Sequence, residues 1–163
     1  SDVCSSDLPD LGTAFIDAPK TRQALAQIID NALKYTREGG VRIAARGVTE
    51  AGMEMIQIAV EDSGVGIAPA ALPGLFEQFT AEDDSSASKY GGRGLGLALA
   101  RKLCRLMGGD ITVVSRLGRG SVFTLSLPRG AVAQDDSAVD ADIARLRGLL
   151  AAAGAPERAE RIA

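Results

Sequence analysis

Gly91-Gly92-Arg93-Gly94-Leu95-Gly96-Leu97 runs straight into an apolar helical pattern from Ala98 to Met107, and its reading decides what the rest of the chain can be. Four glycines within six residues remove Cβ atoms where a backbone must bend and come close to another group. The helix behind it presents unpaired N–H groups and the positive end of its dipole, a seat suited to phosphate. Two common phosphate loops are excluded by position. A Walker loop ends in Gly-Lys-Ser/Thr, whereas Leu97 follows Gly96 here. A dinucleotide fingerprint needs a third glycine three residues after its second, where this chain has Leu97 or Leu99. By itself the run is equally compatible with a flexible loop ahead of a core helix.

Upstream of the glycine run, Thr80 to Arg93 is polar, small and aperiodic, the pattern of a mobile loop long enough to act as a lid. Leu75-Phe76-Glu77-Gln78-Phe79 precedes it and places two phenylalanines three apart, a hydrophobic clasp over a core. Further back, Val41 to Arg46 and Met55 to Glu61 alternate apolar and polar residues, which predicts an antiparallel hairpin. The second strand ends in Asp62-Ser63-Gly64-Val65-Gly66-Ile67. That is ordinary turn chemistry, and it is also a way to hold one carboxylate against a ligand while the backbone approaches it.

A helix begins at Asp17-Ala18-Pro19, with an acidic cap and Pro in the first turn, and Gly39-Gly40 closes that region as a turn. Leu25, Ile28, Ile29, Ala32 and Leu33 form its apolar stripe. Gln27, Asn31 and Lys34 share another face, either a solvated one or the lining of a polar cleft.

Downstream, the helix after the glycines ends at Gly108-Gly109, with Arg101, Lys102 and Arg105 suiting its C-terminal half and Cys104 read as an inert packed thiol. Strands at Asp110 to Ser115 and Ser121 to Leu127 follow, joined through Gly118-Arg119-Gly120 and stopped by Pro128. Residues 129–136 are an acidic linker. Ser137-x-x-Asp140 then opens a helix with the stripe Val139, Ile143, Leu146 and Leu150, able either to dock on the domain or to lead away from it.

Composition bounds the function. The 163 residues suit one domain with appendages; 46% are hydrophobic but only 4% aromatic, so the core is aliphatic. A net charge of −3 gives no electrostatic case for nucleic acid, and no apolar run is long enough to span a membrane. The two cysteines have no metal spacing and suit a reduced, cytoplasmic setting. There is no histidine, which excludes imidazole acid–base chemistry, His-ligated metals and a phosphohistidine on this chain. Residues 1–8 fit nothing that follows and resemble translated adapter read-through, so the chain is expected to be a fragment with an artificial or disordered start, the domain proper running over residues 9–128.

Four elements stand in order: Gln27/Asn31-Ala32-x-Lys34-Tyr35-Thr36, Asp62-x-Gly64-x-Gly66-Ile67, Phe76/Phe79, and Gly92-x-Gly94-Leu95-Gly96-Leu97. Together they resemble the asparagine, first glycine, phenylalanine and second glycine boxes of the ATP-binding catalytic domain of bacterial sensor histidine kinases. Lys89-Tyr90-Gly91-Gly92 and Leu106 to Ile111 are most similar to hybrid sensor kinases. The resemblance implies the Bergerat fold, a two-layer α/β sandwich in which a mixed, largely antiparallel sheet packs on helices.

It also implies ATP and Mg²⁺ as ligands. Asp62 would accept a hydrogen bond from the adenine amino group, Gly64 and Gly66 would keep the backbone close to the base, and Ile67 would wall it. Asn31 would ligate Mg²⁺; Lys34 would neutralise phosphate charge and, with Asn31, count as catalytic; Tyr35 would pack near the nucleotide. Gly92, Gly94, Leu95 and Gly96 would hold the phosphates, with Lys89 a second cation. The implied partners are a dimerisation domain bearing the phosphoacceptor histidine and, indirectly, a response regulator or receiver domain. No nucleic-acid or membrane contact is expected of this fragment, while inner-membrane anchoring stays open for a full-length protein.

Two positions depart from the pattern. Gln27 stands where most histidine kinases carry Asn and where gyrase- and MutL-type ATPases carry a catalytic Glu, so negligible ATP hydrolysis is expected. Arg93 replaces the usual Thr or Ser, either adding a phosphate contact or facing solvent. A non-catalytic ATP-binding regulatory module and an anti-sigma-type serine kinase are the alternatives, the Phe76/Phe79 clasp favouring the histidine kinases over the latter.

Overall fold

The computed structural model describes residues 5–7, 14–76, 93–130 and 137–152. Within them, strands β1 (Ser5–Asp7), β2 (Val41–Glu50), β3 (Met53–Asp62), β4 (Asp110–Arg116) and β5 (Gly120–Pro128) form one sheet in the order β1-β2-β3-β5-β4. Only β1 and β2 run parallel; every other neighbouring pair is antiparallel. Helices α1 (Ala18–Tyr35), α2 (Arg93–Leu106) and α3 (Ser137–Ala152), with a short 3-10 turn at Pro69–Ala71, complete the described regular structure. The expected α/β sandwich with a mixed, largely antiparallel sheet is therefore present.

The core forms where strand alternation meets helical periodicity. Phe123, Leu125 and Leu127 point inward from β5 and are essentially inaccessible. They stand opposite Val60, Ile58 and Ile56 of β3, while Ile111 of β4 flanks Leu125. From the helix layer come Ala24, Ile28 and Ala32 of α1 and Leu95, Leu97, Leu99, Ala100 and Leu103 of α2. Asp17 caps α1, its Oδ1 accepting the Lys20 N–H at 3.1 Å. Leu33, assigned to the apolar stripe, is 48% exposed, because the buried line is centred on Ala24, Ile28 and Ala32 and residue 33 falls to its side.

Three further boundaries differ from expectation, each for a tertiary reason. The hairpin of β2 and β3 is longer, turning on Ala51 (φ 50°) and Gly52 (φ 79°); pairing with β3 extends β2 through polar residues that show no strand pattern alone. Helix α2 begins at Arg93 rather than Ala98, so Gly94 and Gly96 are helical. Glycine in a helix costs about 1 kcal/mol relative to alanine, and burial of Leu95 and Leu97 between them offsets that cost. Ser5–Asp7, given no place by the sequence, pairs with Arg42, Ile43 and Ala44 at the sheet edge, where pairing uses backbone groups and asks little of the side chains.

Helix α3 docks. Ile143 and Leu146 are buried in the same core as α2, and Arg147 donates to the Gln23 side chain of α1. Cys104 is fully buried in α2 and its thiol is pushed up to about 12 by burial and by the nearby Asp110 charge, consistent with an inert packed residue. Of the phenylalanine pair, Phe76 packs edge-on against Phe123, ring centroids 6.4 Å apart; Phe79 and the expected lid at 77–92 lie outside the described residues.

Candidate nucleotide site

A cleft of about 280 Å³ opens between the C-terminal half of α1, the loop after β3 and the first turns of α2. Asn31 and Tyr35 reach it from α1, Asp62 from the end of β3, Gly66 and Ile67 from the loop, and Leu97 from α2. Leu75, Val65, Ala68 and Ala71 add apolar wall. Asn31 and Tyr35 arrive together because residues four apart share a helix face.

Asp62 is the chemical centre of this cleft. Its strand is bracketed on both sides, Asp62 pairing with Val41 and with Ser121, which fixes the side chain at the floor with 5% exposure. Burial pushes its carboxyl above the usual aspartate range, opposed by the backbone N–H groups of Gly64 and Ser121 and reinforced by the Glu61 charge. The Gly64 N–H sits 2.9 Å from Oδ1. A carboxylate offers about four lone-pair sites, so two backbone donors leave acceptor capacity for a ligand.

The loop is held against α1 by backbone contacts that side chains would obstruct. The Val65 N–H donates to the Tyr35 carbonyl at 3.3 Å. A Cβ on Gly64 would collide with that carbonyl oxygen and lie 2.9 Å from Asp62 Oδ1. Gly66 adopts φ 70°, and a Cβ there would strike the Arg116 carbonyl. The loop's far side is tied down by Ser115, whose Oγ accepts the Ile67 N–H at 2.8 Å.

The sequence missed Ser121 and Ser115. Ser121 is 5% exposed, lines the cleft and shares a 2.8 Å hydroxyl contact with Ser115. Their only signal is register: each is placed beside Asp62 or its loop by strand pairing. Lys34 is exposed, with its Nζ 5.8 Å from the Tyr35 ring centroid, and is not among the residues lining the cleft. Gly94, Leu95 and Gly96 stand in the first turn and a half of α2, while Lys89 and Gly92 lie outside the described residues. Gln27 continues the Asn31 face toward α2, its Oε1 2.7 Å from where a Cβ on Gly96 would stand.

A buried carboxylate and apolar walls, reached by Leu97 of α2, fit an adenine nucleotide, while Gly94, Leu95 and Gly96 are not among the residues lining the cleft. The family model described as histidine kinase-, DNA gyrase B- and HSP90-like ATPase matches residues 16–131. The chain belongs to this family. Within it, the relatives that the chain resembles include sensor histidine kinases. The chain is 41% identical over 128 residues to the aerobic respiration control sensor protein ArcB of Escherichia coli (strain K12), covering 77% of this chain and 16% of that protein. It is 38% identical over 149 residues to histidine kinase 5 of Arabidopsis thaliana, again covering 77% of this chain and 16% of the relative. Among solved structures, full-length ShkA in complex with AMPPNP superposes with a TM-score of 0.65 at 32% identity, covering 80% of this chain and 26% of that one. The ATPase domain thus spans about a sixth of the length of these curated relatives.

Asn31 is the one predicted metal ligand. Among the described residues no group of three or more Cys, Asp or Glu side chains could hold a cation. A neutral amide oxygen suits Mg²⁺ when phosphate and water oxygens supply the other ligands. The same described residues include no helix long and apolar enough to cross a membrane.

Proposed function

We propose that this domain binds Mg-ATP in the Asp62 cleft and presents the γ-phosphoryl group to a histidine on a dimerisation domain outside this chain. The observation that carries the reading is the placement of Asp62, a nearly inaccessible carboxylate on the floor of an otherwise largely apolar cleft. Its free acceptor capacity pairs with the exocyclic amino group of adenine, a charge-assisted bond worth about 1.5–3 kcal/mol. Guanine would turn a carbonyl oxygen toward the same carboxylate, so the site selects adenine largely by rejecting guanine. Ile67, Leu75 and Leu97 close on the faces of the base, and Gly64 and Gly66 let the backbone approach it.

At the other end, the unpaired N–H groups from Arg93 to Gly96 receive the phosphates, with Gly92 and Lys89 contributing from the preceding segment. Asn31 offers its amide oxygen to Mg²⁺, and exposed Lys34, its Nζ 5.8 Å from the Tyr35 ring centroid, adds positive charge for the phosphate chain beyond the ribose. Bound Mg²⁺ neutralises phosphate charge during transfer. The residues themselves orient the nucleotide and stabilise charge, which is most of what phosphoryl transfer requires. Gln27 supplies a neutral amide beside α2, where no proton can be taken from water. Domains of the response-regulator or receiver type are then the indirect recipients.

Mixing the purified chain and labelled ATP with a separately produced histidine-bearing dimerisation domain tests this. Acid-labile phosphoprotein is the expected product. Tight ATP binding without transfer to any such domain would instead make the chain a regulatory nucleotide-binding module.

A further inference from the structure

Arg101 lies outside the cleft, yet it is joined to the cleft wall through a single aromatic ring. Its guanidinium carbon is 4.9 Å from the centroid of Phe76, within range of a cation–π contact. The same ring meets buried Phe123 edge-on, at 6.4 Å and 85°. Asp110, at the start of β4, fixes the guanidinium in that pose: Arg101 Nε donates to Oδ1 at 2.9 Å and Nη2 to Oδ2 at 3.3 Å. Asp110 is itself oriented by the Ile111 N–H at 2.8 Å and by Arg105. A planar fork of this kind sets direction as well as charge.

The ring matters because of what precedes it. Residues 68–76 supply Ala68, Ala71 and Leu75 to the cleft. Among the described residues, their backbone–backbone hydrogen bonds are all internal: Ala71 to Ala68, Leu72 to Pro69 and Leu75 to Leu72. Apart from the single 3-10 turn Pro69–Ala71, whose bonds are internal to it, no described sheet ladder or longer helix ties this stretch to the rest of the domain, so side-chain packing must. Leu75 and Phe76 both pack against the core, and Phe76 is gripped from two directions.

We infer that Arg101 is a positioning residue for nucleotide binding, which clamps Phe76 between α2 and β5 and so fixes Leu75 in the cleft wall. Arg101 acts through Phe76 and touches no nucleotide. The inference rests on the reading of the cleft as the ATP site. A half-buried ion pair with no such role would leave nucleotide affinity unaffected, because Arg101 and Asp110 themselves lie outside the cleft.

The test uses the whole chain with Arg101→Met, Arg101→Lys, Phe76→Leu and the Arg101→Met/Phe76→Leu double variant. AMPPNP affinity is measured by calorimetry, and backbone amide exchange at Ala71, Leu72 and Leu75 is followed without nucleotide. Arg101→Met is expected to weaken AMPPNP binding about threefold to tenfold, the size of a partly desolvated cation–π contact, and to speed exchange at those amides. Arg101→Lys keeps a cation over the ring and recovers most of both. In the Phe76→Leu background, Arg101→Met adds no further loss. Unchanged affinity in Arg101→Met, or losses that multiply independently in the double variant, would overturn the inference while leaving the site reading intact. Absence of AMPPNP binding by the unaltered chain would overturn the site reading and this inference with it.

Discussion

Asp62 shows how a residue's chemistry is decided by its neighbours rather than by its type. Burial raises its pKa while two backbone N–H groups hold its charge in place. Replacing it with Asn keeps the shape but turns one acceptor into a donor facing the base. AMPPNP affinity of Asp62→Asn should fall about tenfold to a hundredfold, with an unchanged circular dichroism spectrum. Retained affinity would remove Asp62 from the adenine site. The raised pKa also gives a pH signature with a definite sign. Folding favours the protonated carboxyl, so Asp62's contribution to stability is fully present below 3.8 and lost as pH rises through its folded value. Binding needs the carboxylate and runs the other way. AMPPNP affinity should fall on acidification more steeply in the parent than in Asp62→Asn, in which only the nucleotide's own groups titrate; the same pH dependence in both would contradict it.

At the scale of elements, local pattern and tertiary packing divide the information between them. Helix α1 was legible because Asp17, Pro19 and the Ile28/Ala32 spacing agree with one another. The four core strands of the sheet were legible from alternation, although their ends were not, since β2 owes its last residues to pairing with β3. The start of α2 was hidden: glycines predict a loop, and only burial of Leu95 and Leu97 makes them helical. Docking of α3 was equally undecidable, because the stripe of Ile143 and Leu146 states that a face is apolar without naming its partner. That contact now carries a prediction. Leu146 is 1% exposed, so Leu146→Ala should cost about 2–4 kcal/mol, read as a lower urea midpoint with an unchanged slope. A midpoint within error of the parent would mean that α3 adds nothing to the core.

For the whole molecule, the site assembles from four separated stretches of chain, and the sequence held the types of its residues better than their company. Asn31, Tyr35, Asp62, Gly66 and Ile67 line one cleft, Lys34 and Gly94 to Gly96 are not among its lining residues, and Ser121 and Leu75 join it only through register and packing. On the function proposed above, a domain without histidine would pass its phosphoryl group to another polypeptide segment, and Gln27 in place of a carboxylate would leave ATP hydrolysis negligible. Phosphate release from ATP by the purified chain should therefore stay at the level of the buffer blank; steady turnover would contradict this. The central claim is that Asp62 and the start of α2 hold opposite ends of one nucleotide. A crystal structure of the chain with AMPPNP and Mg²⁺ tests it most directly. The account predicts the adenine amino group within hydrogen-bonding distance of Asp62 and the phosphates at residues 93–96, and a base lying away from Asp62, or phosphates away from that helix start, would contradict it.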